Sequence, residues 1–230
     1  MTVLAEVRAA PMGPHAHNLG LPQKIFVVRH GQSSWNKTKR VTGQLNPPLA
    51  DEGWAQARRL AEVLHAEALD AVYSSTLNRA VDTARATAGD HGLGVIQCDD
   101  LREQHLGVLQ GQIRDARNPV ALTLWRLRKA DMLNFRVPGG ETYTELEQRL
   151  RHFVQARLTR HRGGTVLIVG HRNSNRALLS VLLDMPLREA AAVPLRSKFL
   201  YEITPGSEPK VRTVSLRPRN LGEVWQGFRT

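Results

Sequence analysis

The sequence predicts an α/β fold, a three-layer α/β/α sandwich with a largely parallel sheet and helices on both of its faces. Short β-branched apolar runs alternate with segments whose apolar residues recur every three to four positions. That is the pattern of strands joined by crossover helices. Three of the runs end on polar or ionisable residues: 25–28 on Arg29 and His30, 69–73 on Ser74, and 165–169 on Gly170 and His171. Parallel strands carry their carboxyl ends to one edge, where open α/β sheets hold ligands. A length of 230 residues with 41% apolar content suffices for a substantial core.

The elements follow in order. Residues 1–22 hold Pro11, Gly13, Pro14, Gly20 and Pro22 without a period, and read as a mobile N-terminal extension. His15 and His17 have no partner ligands there and mark no metal site. Ile25, Phe26, Val27 and Val28 form the first strand, which Gly31 breaks. A polar loop over 32–48 leads to a helix. Asp51 and Glu52 favour its positive end, Asp51 can cap it in place of Ala50, and Trp54, Ala57, Leu60, Ala61 and Leu64 share a face. Residues 69–73 form the second strand. A helix from Leu77 follows and is stopped by Gly89 and Gly92, and residues 94–98 form the third strand.

Residues 99–140 are less regular. Pro119 suits the first turn of a helix running to Ala130, and Arg126, Arg128 and Lys129 read as its ordinary surface, with a second anion site as the alternative. Pro138-Gly139-Gly140 is a firm break. Thr142 and Glu145 then have capping-box spacing for a long helix ending at Gly163. Residues 165–169 form the clearest buried strand. Asn173 or Ser174 can cap the helix after it, which ends before Pro186. Residues 198–204 and 210–216 read as a last strand pair.

Composition narrows the function. No run approaches the ~18 apolar residues of a membrane span. The single Cys98 excludes an internal disulfide, and no apolar leader opens the chain, so the cytoplasm is the expected compartment. With 32 basic and 21 acidic residues the net charge is +11, which suits anionic partners. The excess of Arg over Lys is also what an Arg-rich composition produces. Aromatics, at 5%, are not interleaved with basic residues, which argues against nucleic acid.

Several motifs converge on the predicted sheet edge. Arg29-His30-Gly31-Gln32-Ser33-Ser34-Trp35-Asn36 opens the series. Gly43-Gln44-Leu45-Asn46-Pro47-Pro48-Leu49 with Gly53 and Gln56-Ala57 follows, then Ser74-Ser75-Thr76-Leu77-Asn78-Arg79-Ala80 with Thr83. Leu101-Arg102-Glu103 with Gly107 and Gly111, Pro138-Gly139-Gly140-Glu141, and Val169-Gly170-His171 complete it. In these motifs, over about residues 24 to 185, the chain resembles the histidine phosphatase superfamily, branch 1, the phosphoglycerate mutase-like group.

The resemblance implies a single catalytic domain over 23–230 and a metal-independent phosphomonoesterase that needs no cofactor. His30 resembles the nucleophile that becomes a phosphohistidine, which requires one free ring nitrogen and the other held as a donor. Arg29, Asn36, Arg79 and His171 resemble the phosphate pocket, with His171 as an imidazolium. Glu103 resembles the proton donor and acceptor; Asp99 and Asp100 lie close in sequence, but the spacing to Gly107 favours Glu103. Gln44, Arg172 and Asn173 are the expected substrate contacts, and Trp35 is expected to pack. The implied partner is a small phosphorylated metabolite, with neither nucleic acid nor membrane, and a homo-oligomer is left open.

Two departures bear on the substrate. Arg172 stands where many relatives have Gly, so it either narrows the pocket or offers a cation to a second phosphate or carboxylate. The interval from Glu103 to Pro138 is short, lacking the longer insertion of cofactor-dependent phosphoglycerate mutases, which favours a hydrolase. A mutase or related phosphotransfer isomerase is the second reading. A non-catalytic binder of anions or nucleic acid, suggested by the charge, is the third.

Overall fold

A computed structural model describes residues 20–38 and 40–229. The extension expected over 1–22 therefore lies mostly outside the described residues, as do His15 and His17. Its last residues belong to the domain: Pro22 is buried and Leu21 packs against the core.

Seven strands form one mixed sheet: β1 (Lys24–Arg29), β2 (Ala71–Ser75), β3 (Val95–Cys98), β4 (Thr165–Gly170), β5 (Phe199–Thr204), β6 (Lys210–Ser215) and β7 (Val224–Gln226). Their order is β3-β2-β4-β1-β5-β6-β7. The first four in that order are parallel, as their crossover helices require, and the last three are antiparallel. The helices are α1 (Asp51–Leu64), α2 (Asn78–Asp90), α3 (Pro119–Ala130), α4 (Tyr143–Ala156), α5 (Arg172–Leu183) and α6 (Leu187–Ala192).

Alternation along β1 builds the three layers. Ile25 and Val27 face one core with Tyr143, Leu146 and Phe153 of α4 and Leu178 and Leu182 of α5. Phe26 and Val28 face the other, with Leu60 and Leu64 of α1 and Ala80 and Ala84 of α2. A third, smaller cluster of Val41, Leu106, Leu109, Ala121 and Val137 holds the 103–138 segment and α3. Among the described residues no helix is long and apolar enough to cross a membrane.

Several expectations change in detail. The cap of α1 is Ala50, with no side-chain bond, and Asp51 is the first helical residue, so its contribution is charge at the helix start. The helix after Thr142 ends at Ala156 and continues as a 3-10 turn over Leu158–His161. Neither Asn173 nor Ser174 caps α5. His171 does, in extended backbone (φ −130°, ψ 177°), because Ser174 Oγ turns back to accept its N–H at 3.1 Å. Arg128 is not on the surface: it is 4% exposed beside Trp125, while Arg126 and Lys129 are exposed.

Candidate active site

Strand register creates the site. β1 and β4 pair in parallel with Arg29 opposite Gly170, so the next residue on each strand is a histidine. The His30 N–H donates to the Gly170 carbonyl at 3.0 Å, and the two imidazole centroids lie 5.0 Å apart, tilted 56°. β2 lies on the other side of β4, with Ser74 opposite Val169, which brings Ser75 to the same edge. Arg79 comes from the first turn of α2, just beyond β2.

The loop after β1 orients His30. Its Nδ1 lies 2.6 Å from the Gly31 carbonyl, so this nitrogen carries the proton and Nε2 is the free base. The Gly31 N–H donates to Thr83 Oγ1 at 3.0 Å, and that hydroxyl donates to the Arg79 carbonyl at 2.7 Å. One threonine thereby ties the loop to α2. Gly31 must lack a side chain: a Cβ there would lie 2.5 Å from the Gly53 carbonyl oxygen.

Arg79, 1% exposed, donates from Nε to His30 Nε2 at 3.2 Å and from its terminal nitrogens to the Leu45 and Gly43 carbonyls at 2.6 and 2.9 Å. The guanidinium has five N–H groups, so two remain for an anion. Arg29 Nε is buried without a partner. Among the described residues neither arginine has a carboxylate within ion-pair distance. Both are lowered to about 10, by burial first; Arg172 and Arg79 also lower Arg29, and Glu103 opposes the fall at both.

His171 is fully buried. Ser75 Oγ accepts the Leu77 N–H at 3.3 Å and shares a hydrogen bond of 2.7 Å with His171 Nε2. His171 Nδ1 is buried and has no partner among the described residues. Both histidines are pushed well below the usual imidazole value, by burial first and then by Arg79. For His171, where an imidazolium was expected, desolvation beside Arg79 and Arg29 disfavours the charged form.

Glu103 sits at the N-terminus of α5. Its carboxylate accepts the N–H groups of Asn173 at 3.1 Å, Ser174 at 3.2 Å and Gln104 at 2.9 Å. The positive end of the helix dipole favours a carboxylate there. The Gln44 side chain donates to the Glu103 carbonyl at 2.9 Å, so its amide holds Glu103 in place. Asn173 donates from Nδ2 to Gln104 Oε1 at 3.3 Å. Asn36 is exposed, and its Oδ1 accepts the Ser33 N–H at 2.6 Å, so the group it offers a ligand is its amide nitrogen. Trp35 lies 5.1 Å from the Arg40 guanidinium and packs as expected. Among the described residues no group of three or more His, Cys, Asp or Glu could hold a metal ion.

Sequence reasoning had not assigned roles to Ser75, Thr83 or Gln104, and had read Arg128 as helix surface. Ser75 and Thr83 stand inside the second motif, so their presence was visible but their partners were not. The assembled site has two neutral imidazoles, two buried unpaired guanidiniums and one carboxylate. Such a set of donors, with the unprotonated Nε2 of His30 beside them, suits a tetrahedral anion.

The model of the histidine phosphatase superfamily (branch 1) matches residues 25–213. A Serratia proteamaculans (strain 568) protein named probable phosphoglycerate mutase GpmB is 32% identical over 187 residues, covering 81% of this chain and 86% of that one. The structure titled mycobacterial hydrolase 1 superposes with a TM-score of 0.72 at 26% identity, covering 90% of this chain and 100% of that chain. A mycobacterial glucosyl-3-phosphoglycerate phosphatase in complex with VO3 gives a TM-score of 0.66 at 30% identity, covering 79% and 92%.

Proposed function

Since the chain belongs to the histidine phosphatase superfamily, branch 1, we propose that it hydrolyses phosphomonoesters of small metabolites in two steps through a phosphohistidine. The observation that carries this reading is the unprotonated Nε2 of His30 beside the guanidiniums of Arg29 and Arg79, neither of which has a carboxylate partner among the described residues. In the first step His30 Nε2 forms a bond to phosphorus and the ester P–O bond breaks. The leaving oxygen takes a proton from Glu103. In the second step water attacks the phosphohistidine, its proton returns to Glu103, the P–N bond breaks and phosphate leaves. Arg29, Arg79 and His171 stabilise the charge on the equatorial oxygens throughout. No metal takes part in either step.

A phosphotransfer isomerase is the second reading, favoured by the mutase name of the curated relatives. The hydrolase is preferred because the segment above the site is short, with α3 as its one α-helix, and because a similar solved structure is titled a phosphatase. Phosphate release across a broad panel of esters, with His30→Ala alongside, tests the reading. Release is expected from the native chain and at least ~100-fold less from the variant. Equal release from both removes His30 as the nucleophile. Isomer exchange of phosphoglycerates without net phosphate release establishes the mutase instead.

A further inference from the structure

The loop over residues 43–46 touches both halves of the site. Its Leu45 and Gly43 carbonyls accept from the two terminal nitrogens of Arg79 at 2.6 and 2.9 Å. The Gln44 side chain holds the Glu103 carbonyl. Asn46 Oδ1 accepts the N–H of Asn78, the first residue of α2, at 2.9 Å, where the helix's own cap, Leu77, supplies no side-chain bond. Four consecutive residues therefore join the start of α2, which carries Arg79, to the segment that carries Glu103.

A side chain outside the loop fixes its conformation. Gln110 Oε1 accepts the Gln44 N–H at 2.7 Å. That N–H belongs to the same peptide unit as the Gly43 carbonyl, and in a trans peptide the two point in opposite directions. The peptide is thus clamped between Gln110 on one side and Arg79 on the other. Gly43, buried and at φ +51°, has no Cβ to resist rotation of this peptide, so the clamp is what holds it. The fit is close: a Cβ on Gly43 would overlap the Gln110 side chain. Turning the Gln110 amide over would set its own N–H groups against the Gln44 N–H, so its oxygen stays on the loop.

Arg79 is a planar fork on a flexible stem, and the plane of the fork follows the carbonyls that hold it. We propose that Gln110 is a positioning residue: by accepting the Gln44 N–H it keeps the Gly43 carbonyl on Arg79, and so keeps that guanidinium turned toward His30. With the peptide rotated, Arg79 would lose the Gly43 acceptor and the fork could swing away from the phosphate pocket. The orienting of Arg79 rests on geometry alone; its effect on turnover rests on the phosphatase reading above. The two segments are also joined without Gln110. The Gly111 N–H donates to the Val41 carbonyl at 2.8 Å, and the Val41 N–H to the Gln112 carbonyl at 2.9 Å. Removing the Gln110 oxygen should therefore leave the fold in place and change the direction of Arg79.

The test compares Gln110→Met, which keeps the length of the side chain without its oxygen, with Gln110→Glu, which restores an acceptor. In the native chain, proton–nitrogen correlation spectra should resolve the guanidinium N–H signals of Arg79, identified by their absence in Arg79→Lys, because a fork bonded at both ends rotates slowly. Those signals should average in Gln110→Met and return in Gln110→Glu. Calorimetric titration with inorganic phosphate should give a Kd weaker by about tenfold in Gln110→Met and near the native value in Gln110→Glu. The kcat/KM for phosphate release should fall by a similar factor for alkyl and aryl esters alike, unlike a loss at Glu103, and recover in Gln110→Glu. A native Arg79 spectrum or a native Kd in Gln110→Met, or equal impairment in both variants, overturns the proposal. If Gln110→Met does not fold, Gln110→Asn, whose oxygen falls one methylene short of the loop, is read in its place. If the native chain hydrolyses no ester and binds no phosphate, the phosphatase reading fails, and the Arg79 signals still decide the role of Gln110.

Discussion

At His30 and His171 the imidazoles are neutral because burial beside Arg79 and Arg29 makes a further positive charge costly. Their folded pKa lies well below the unfolded value, so the unfolded chain binds protons first as the pH falls. Stability is therefore full above about pH 6.5 and lost below it. In phosphate-free buffer each histidine should remove up to about 1.4 kcal/mol per pH unit below that point. Denaturant titrations between neutral and mildly acid pH should show a shallower fall in His30→Gln; an unchanged slope would place the titration elsewhere. For Glu103 the expected signature is selective. Glu103→Gln should slow alkyl phosphates by roughly a hundredfold or more and aryl phosphates far less, because a phenolate leaves with little protonation. Initial rates on both ester classes decide it, and equal slowing would move the acid to another residue. At this scale the sequence showed which residues were chemically able. It did not show that Arg128 is buried or that Ser75 orients His171, since both depend on neighbours many residues away.

Among the elements, the turn from β1 into the site is the most constrained. Gly31 and Gly53 face each other so closely that a Cβ on Gly31 would lie 2.5 Å from the Gly53 carbonyl oxygen. Gly31→Ala should cost about 1–3 kcal/mol and lower kcat by displacing the carbonyl that holds His30 Nδ1. Unfolding midpoints and initial rates on one preparation would show both effects; a neutral substitution would mean that the α1 start yields freely. Local signals located most elements well. The capping box at Thr142 and Glu145 is present as the spacing implied, with the Glu145 N–H donating to Thr142 Oγ1 at 3.2 Å. The start of α5 was misplaced because its capping residue is a histidine, a type with weak capping preference. α6, with six residues, and β7, with three, are too short for a periodic pattern to register.

For the molecule as a whole, the net charge of +11 includes an unpaired cationic centre, Arg29 and Arg79, whose partner is expected to be an anion. Inorganic phosphate should accordingly stabilise the folded chain. At a hundredfold excess over Kd the gain is about 2.7 kcal/mol, read as a rise in Tm, while chelators should leave both Tm and phosphate release unchanged. A Tm indifferent to phosphate would contradict an anion pocket at the sheet edge.

The sequence alone determined the alternation of strands and helices, the order of the motifs and the chemical types brought to each strand end, because these are carried by local patterns of apolar, turn-forming and ionisable residues. Tertiary structure decided the pairing of Arg29 with Gly170 that sets two histidines 5.0 Å apart, the depression of the pKa of both rings, and the burial of Arg128 beside Trp125. Register, desolvation and like-charge proximity are properties of neighbours in space, and a linear pattern does not contain them.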